Sequence, residues 1–257
     1  MTNNIHNNLL QNLQNAIIPG TVFLASWLEQ MNISRNLQQY YKRSGWIDSI
    51  GAGAFTRPSD LVGWIGGIYA IQNHAKLPIY PGGLTALSLK GSAHYLRNSN
   101  EIIHLMGEDN AILPKWFKNH NWGHSVNYCA TSFLPANIGL IKYKELNFSI
   151  NISSNERAIL ECLYLAPNKI DLIEIYQIIE GLVNLRPDLL QILLEQCSSI
   201  KVKRLFLYMA NKSKHSWVKY IDKTKINLGK GARNITRGGI YIPDYQITIP
   251  TKLALEL

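Results

Sequence analysis

Cysteine, acidic residues and long apolar runs are all scarce in this 257-residue sequence. The cysteines are only Cys129, Cys162 and Cys197, and they form no C-x-x-C pair, which argues against a disulfide framework or a structural zinc site. The apolar stretch near the start, residues 16–28, is interrupted by a Pro-Gly pair and is too short to span a bilayer. The first fifteen residues carry no Lys or Arg and do not resemble a signal peptide. We therefore expect a cytoplasmic protein without membrane contact.

Basic residues outnumber acidic ones, 26 to 17, and the formal net charge is +9. A balance of this size favours an anionic partner such as nucleic acid. It is equally compatible with a basic surface that serves solubility alone. Hydrophobic residues make up 46% of the chain, which is enough for packed cores, and the length accommodates two domains.

The first eighty residues follow the order of a winged helix-turn-helix. Thr21 is a candidate N-cap for the second helix, Ser34 for the third, and Gly45 is placed to end the third helix. Two short β-type runs then flank a Gly-Ala-Gly turn, which predicts a hairpin. The predicted elements are helices over 5–17, 22–30, 34–44 and 61–75 and strands over 46–50 and 54–57.

Beyond residue 80 the pattern becomes a mixture of short strands and longer helices. We therefore predict an α+β protein of two domains. A winged helix-turn-helix DNA-binding domain covers residues 1–80, and a mixed α/β domain covers residues 81–257.

The third helix has a polar side without any acid. At about 100° per residue, Leu37, Tyr40 and Tyr41 cluster on one side, which we predict to be buried. The opposite side carries two cations and two amides, and Arg pairs with guanine and Gln with adenine in the major groove. Because the N-terminal part of a recognition helix contacts the bases, Arg35 and Gln38 are the expected base readers. Positioning contacts are expected from Gln39, Lys42 and Arg43.

The hairpin completes this predicted interface. Gly51 and Gly53 allow a sharp turn at its tip, and Arg57 stands at its end. The candidate DNA-binding residues are Ser34, Arg35, Gln38, Gln39, Lys42, Arg43, Gly51, Gly53 and Arg57.

A second basic region lies between residues 201 and 237, where Asp222 is the only acid and Trp217 and Tyr220 are interleaved. Two interpretations stay open, a solvated basic face and a surface that contacts nucleic acid or serves a toxin-related role. The candidate residues are Lys201, Lys203, Arg204, Lys212, Lys214, Lys219, Lys223, Lys225 and Arg233.

The sequence offers little for catalysis. His120 and His124 are four residues apart, but Gly123 between them indicates a loop and no third ligand is near. The acidic residues form no convincing general acid–base pair. We therefore predict no enzymatic activity, no cofactor and no metal.

Several stretches resemble AbiEi-type antitoxins, the antitoxin half of type IV toxin–antitoxin systems. The run from Tyr41 to Phe55 is similar to the end of the recognition helix and the wing of that family. Related chains favour Ala-Leu-Tyr-Ala-Leu where this one has Gly-Ile-Tyr-Ala-Ile at 67–71, and residues 98–150 match least. The other similar blocks are residues 64–72, 82–95, 156–208 and 228–250.

The resemblance implies a phage-defence function of the abortive-infection kind. The N-terminal domain would repress its own operon by binding repeats in the promoter DNA. The C-terminal domain would counteract a nucleotidyltransferase-like toxin encoded next to it, without a stable complex. The alternative is a stand-alone winged-helix repressor whose second domain binds a ligand or dimerises. The sequence leaves the oligomeric state open.

Overall fold

The computed structural model describes residues 2–92 and 102–255, with side chains from residue 8 onward, and its mixed helix and strand content confirms the α+β class. The described residues form two compact units. The first contains residues 2–80, 107–130 and 142–151; the second contains 81–92, 102–106, 131–141 and 152–255. The units are thus interleaved along the chain, and the single boundary at residue 80 stays a prediction. The last residues of the block 82–95 lie outside the described part.

The first unit contains the predicted winged helix-turn-helix. Its core is formed by Leu13, Phe23, Leu28, Ile33 and Tyr41, together with further buried residues of the same elements. The elements are α1 (Thr2–Ala16), β1 (Phe23–Leu24), α2 (Ala25–Gln30), α3 (Arg35–Arg43), β2 (Asp48–Gly51), β3 (Ala54–Thr56) and α4 (Trp64–Asn73).

The second helix begins later than the sequence predicts. Thr21 does not cap it; its hydroxyl donates to the Ile18 carbonyl at 2.7 Å. Phe23 and Leu24 instead pair antiparallel with β3, in a sheet of order β1-β3-β2. Pairing with the hairpin satisfies backbone groups that a longer helix would bond internally, and it buries Phe23 at the same time.

The third helix is bounded as predicted. Ser34 is extended and its hydroxyl accepts from the Leu37 amide at 3.4 Å, which confirms the N-cap. Gly45 follows the last turn with a φ of +71°, a conformation in which glycine carries no steric penalty. Between α2 and α3, Asn32 has a φ of +62°, which makes the tight turn of the helix-turn-helix.

The later segments of the first unit are short. Phe148 packs edge-on against Tyr69 with ring centroids 5.3 Å apart, and Trp122 packs on Phe117 at 4.9 Å. The bounds in this part of the chain are β4 (Ile79–Pro81), α5 (Gly83–Leu89), β5 (Ile103–Gly107), α6 (Lys115–Asn119), β6 (Val126–Ala130), β7 (Leu140–Glu145) and β8 (Phe148–Ser153). Strands β7 and β8 form a two-stranded sheet.

The later elements of the second unit are α7 (Asn155–Leu165), α8 (Leu172–Gly181), α9 (Pro187–Gln196), α10 (Ile200–Ser213), β9 (Arg233–Asn234), β10 (Ile240–Ile242), β11 (Ile247–Ile249) and α11 (Thr251–Leu255). The unit is built around α7, which packs on α5, α8, α9 and α10. In its small sheet, β11 lies between antiparallel β10 and parallel β9.

A fully buried carboxylate organises the centre of the second unit. Glu161 accepts hydrogen bonds from the Gly83 amide at 2.9 Å, the Ser153 hydroxyl at 2.7 Å and Arg157 Nε at 2.9 Å. Burial raises the pKa of Glu161, and the Arg157 charge opposes that shift. Because every charge here is hydrogen-bonded, the cluster fixes α5 and Ser153 against α7.

None of the described helices is long and apolar enough to cross a membrane.

Candidate nucleic-acid interface

The outer face of α3 is polar and exposed. Arg35, Gln39, Lys42 and Arg43 all lie on the surface, as the sequence predicts. The helix itself carries no acidic residue. This face therefore offers guanidinium and amide donors suited to base edges and phosphates.

Gln38 is wrongly predicted as a base reader. Its side chain is buried, with 1% of the residue exposed, and its Nε2 donates to the Ala25 carbonyl at 3.1 Å and the Ile33 carbonyl at 2.9 Å. Gln38 thus joins α2 to α3 from inside. Its amide fixes the angle between the two helices and is not available to DNA.

The predicted buried position of Tyr40 is also wrong. Tyr40 is 59% exposed, whereas Tyr41 is buried and Leu37 partly buried. The buried side is centred on Leu37, Gln38 and Tyr41, so the outer face is rotated towards Asn36 and Tyr40. Neither residue is predicted as a contact from the sequence, although Asn can pair with adenine as Gln does.

Arg35 is held by an acid from the preceding helix. Its Nε donates to a carboxylate oxygen of Glu29, and both side chains are largely exposed. An exposed ion pair is worth little, about 0–1 kcal/mol, so a phosphate or a guanine can replace Glu29 at small cost. In the free protein the pair holds Arg35 at the first turn of α3, where base contacts are made.

The two wing glycines have different physical roles. Gly53 has a φ of +72° and its carbonyl accepts from the Ala25 amide at 2.9 Å, which is the predicted turn glycine. Gly51 has no positive φ and lies against α6, where an added Cβ would stand 2.8 Å from the Trp116 Cβ. Gly51 is therefore a packing position. Arg57, directly after β3, is exposed.

Helix α6 packs against the wing strand β2. Its Trp116 and Phe117 are buried, while Lys115 and Lys118 are exposed. Two cations thus lie on the helix that supports the wing. No short-range signal connects residues 115–118 with the hairpin, because α6 begins 59 residues after β3 ends.

Three of the predicted basic-surface residues are structural. Arg204 is buried and donates to the carbonyls of Leu228 at 2.8 Å and Gly231 at 2.6 Å, which fixes the loop before β9. Lys201 donates to the carbonyls of Tyr164 and Ala166 at the C-terminal end of α7, where a cation satisfies open carbonyls. Lys203 is 3% exposed. The assignment of Lys203 and Arg204 to a surface is wrong, because both are buried in the second unit. Lys201 is partly buried, and its ammonium is engaged by carbonyls of the same chain.

The other candidates of this region divide by exposure. Lys212 is partly buried and lies over the Tyr176 ring at 5.6 Å, and Arg233 is partly buried against carbonyls of its own loop. Four lysines are exposed, namely Lys214, Lys219, Lys223 and Lys225.

The predicted histidine pair shows no metal geometry. His120 packs on Trp122 with ring centroids 4.3 Å apart, and His124 is exposed in the following loop. Across residues 2–92 and 102–255, no three His, Cys, Asp or Glu side chains come together as a metal site.

Two family models match the chain over almost its whole length. Residues 6–98 match the N-terminal domain of AbiEi antitoxin transcriptional regulators, and residues 100–250 match the AbiEi antitoxin transcriptional regulators of type IV toxin–antitoxin systems. The chain belongs to this AbiEi antitoxin family. The resemblance inferred from the sequence is thereby confirmed, and the AbiEi assignment covers both units.

The fold is shared with a solved mycobacterial protein. The crystal structure of the RV2827C protein from Mycobacterium tuberculosis superposes with a TM-score of 0.58 over 95% of this chain and 89% of that one, at 11% sequence identity. At this identity the likeness concerns the fold alone. No curated protein matches the chain.

Proposed function

We propose that this AbiEi protein represses its own operon and counteracts a nucleotidyltransferase-like toxin encoded beside it, without forming a stable complex. The proposal rests on one observation above the others, the exposed acid-free face of α3 within a chain that matches both AbiEi models. A regulator of this family needs a surface that recognises one DNA sequence, and this face has the required donors.

The proposed binding mode places the first turns of α3 in the major groove. Arg35 and Asn36 contact base edges. Because Gln38 is buried, the exposed amide of Gln39 contacts a base edge in its place, instead of making the positioning contact predicted from the sequence. Arg43 and Lys42 contact phosphates on either side. The tip of the β2–β3 hairpin, with Arg57 after it, lies against the adjacent backbone. Gln38 and Tyr41 hold the helix at the right angle from behind.

Separate variants of the full chain test the two activities. The chain is expressed from a foreign promoter together with the neighbouring toxin gene, and growth is scored; a reporter fused to the native promoter measures repression. We expect Arg35→Ala/Gln39→Ala to lose repression and still restore growth. Lys169→Gln, which removes an exposed cation of the second unit, is the matched control for both readouts.

Two results would contradict the proposal. Repression without any rescue of growth would favour a stand-alone repressor. Rescue of growth without any repression of the reporter would contradict the proposed role as a repressor of its own operon.

A further inference from the structure

The basic region of the second unit displays its aromatic and cationic side chains on a rigid support. Trp217, Ile221 and Ile226 are buried, and Trp217 Nε1 donates to the Leu182 carbonyl at 3.0 Å. Single 3-10 turns cover Ser216–Tyr220 and Lys223–Lys225. The segment is therefore held at three points, and Lys219, Tyr220 and the run 223–225 between them are exposed.

A further anchor ties this segment to α9. Gln191 donates to the Asp222 carbonyl at 3.2 Å and accepts from the Asp222 amide at 2.9 Å. The side chain of Asp222 is occupied within the segment, by Thr224 at 2.6 Å and by Lys225 at 3.5 Å. The only acid of the segment is thus already neutralised locally.

Lysines lie over tyrosine rings in this part of the molecule. The Lys219 ammonium is 5.0 Å from the Tyr220 ring centroid, and the Lys223 ammonium is 5.9 Å from that of Tyr245. Tyr220 is 65% exposed. Within the described part of the chain, no carboxylate lies within 4.0 Å of the Lys219 or Lys223 ammonium. We call Lys219, Tyr220, Lys223, Lys225 and Tyr245 the lysine–tyrosine face.

We propose that the lysine–tyrosine face binds single-stranded nucleic acid, with bases stacked on Tyr220 and phosphates held by Lys219 and Lys223. An exposed tyrosine ring can stack on a base only where the base is not already stacked in a duplex. A surface that binds only the phosphates of a duplex would need lysine ammonium groups but no exposed tyrosine rings. The lysine–tyrosine face belongs to the second unit, whereas α3 belongs to the first, and the proposal goes beyond the proposed repressor function.

Stacking and charge make different, measurable contributions. Base–aromatic stacking survives a change from tyrosine to phenylalanine but not to alanine. Removal of one cation that holds a phosphate of a single strand lowers the slope of log K against log salt by about 0.7. Both signatures are absent from a merely solvated basic face.

The test uses the intact chain and labelled twelve-nucleotide oligouridylate and oligodeoxyuridylate, which differ only in the 2′-hydroxyl, and binding is followed by fluorescence anisotropy. We expect Tyr220→Ala to weaken binding by about 5- to 100-fold and Tyr220→Phe to leave it nearly unchanged. Lys219→Gln/Lys223→Gln should reduce the salt slope by about 1.4, whereas Lys169→Gln should not. The ratio of the two oligonucleotide affinities tells whether the 2′-hydroxyl is also recognised.

Binding should survive Arg35→Ala/Arg43→Ala, which separates this site from operator binding by α3. The proposal fails if neither oligonucleotide binds, if Tyr220→Ala and Tyr220→Phe behave alike, or if polyglutamate competes as well as unlabelled oligouridylate. The last result would assign the face to acidic protein partners. If Arg35→Ala/Arg43→Ala loses promoter binding but still binds the oligonucleotides, the result bears on the repressor proposal and leaves the single-strand site supported.

Discussion

Gln38 and Gln39 are neighbours on α3 with opposite surroundings. Gln38 bonds two backbone carbonyls inside the helix-turn-helix, and Gln39 is exposed on its outer face. On a helical wheel, Gln38 and Tyr40 lie about equally far from the centre between Leu37 and Tyr41, on opposite sides of it. Hydrophobicity alone favours burying Tyr40. The carbonyls of Ala25 and Ile33 favour Gln38 instead, and nothing in the local sequence reveals them.

Alanine substitutions should therefore separate the two glutamines. We expect Gln38→Ala to reduce the free energy of unfolding by about 1–3 kcal/mol, because two buried carbonyls lose their donor. Gln39→Ala should leave stability unchanged and relax the operator preference. Thermal unfolding and gel shifts of both variants are the measurements. A Gln38→Ala protein as stable as the parent but deficient in sequence preference would restore Gln38 to the DNA contacts.

Glu156 makes the stability of the second unit depend on pH in the acidic range. Burial would raise its pKa, but hydrogen bonds from Arg186 and Ser154 outweigh burial and lower the pKa to about 2. Arg186 Nε stands 2.9 Å from the Glu156 carboxylate. A carboxyl whose pKa is lowered on folding stabilises the protein above its unfolded pKa, near 4.5, and loses this contribution as the pH falls towards 2.

The variant Arg186→Gln tests this pH dependence. Because Arg186 is 59% exposed and solvent screens the pair, we expect a loss of only about 1–2 kcal/mol at pH 7. The difference from the parent protein should shrink between pH 5 and pH 2.5 in urea unfolding experiments. A difference that stays constant over that range would mean that Arg186 stabilises through packing and not through the carboxylate.

At the scale of elements, the wing depends on what supports it. The hairpin has an irregular register between Ser49 and Gly51, and β2 packs on α6. Substituting Gly51 therefore forces β2 away from Trp116. Substituting Gly53 strains only the turn.

Substitutions of the two glycines should have different effects on thermal stability. We expect Gly51→Val to lower the unfolding temperature by several degrees, because its Cβ has no room beside Trp116. Gly53→Asn should be tolerated, since Asn is among the side chains that adopt positive φ most readily. Differential scanning calorimetry of both variants decides the point. Equal stability of Gly51→Val and the parent would show that α6 and the wing are not tightly packed.

Local signals predicted the elements that depend on neighbours in sequence. Ser34, Gly45 and Gly53 act within three or four residues, and the structure has each in its predicted role. Features that depend on partners far away along the chain were predicted wrongly from the sequence. Strand β1 needs β3, thirty residues later, and the burial of Arg204 needs the loop carbonyls that follow at 228–231. The number of basic residues in the sequence therefore exceeds the number on the surface, because the sequence does not distinguish a buried arginine from a solvated one.

At the scale of the whole molecule, the interleaving of the two units constrains truncation. Residues 107–130 and 142–151 belong to the same compact unit as residues 2–80. Within that unit, Gly67 lies against Phe117 and Trp122, and Gln72 bonds the backbone of Asn151. A fragment beginning at residue 81 would lack Gly67 and Gln72. It would therefore expose Phe117 and Trp122 and leave the Asn151 backbone without these hydrogen bonds.

We therefore expect the fragment 81–257 to be partly unfolded. Its residues 107–130 should exchange amide hydrogens rapidly, whereas the same residues should be protected in the intact chain. The helices around α7, which retain their buried contacts, should stay protected in both. Equal protection of 107–130 in the fragment would show that residues 81–257 fold alone, and the predicted boundary at residue 80 would then describe a separable domain.

The central claim is that the outer face of α3 recognises the promoter of the protein's own operon. Its most direct measurement is a titration of the intact chain with a labelled promoter duplex and a shuffled duplex of the same composition, by fluorescence anisotropy at fixed salt. We predict a preference for the promoter of about 10³-fold or more, which falls by about 5- to 100-fold for each of Arg35→Ala and Gln39→Ala. Equal affinity for the two duplexes, or a preference that survives both substitutions, would contradict recognition of the promoter by α3.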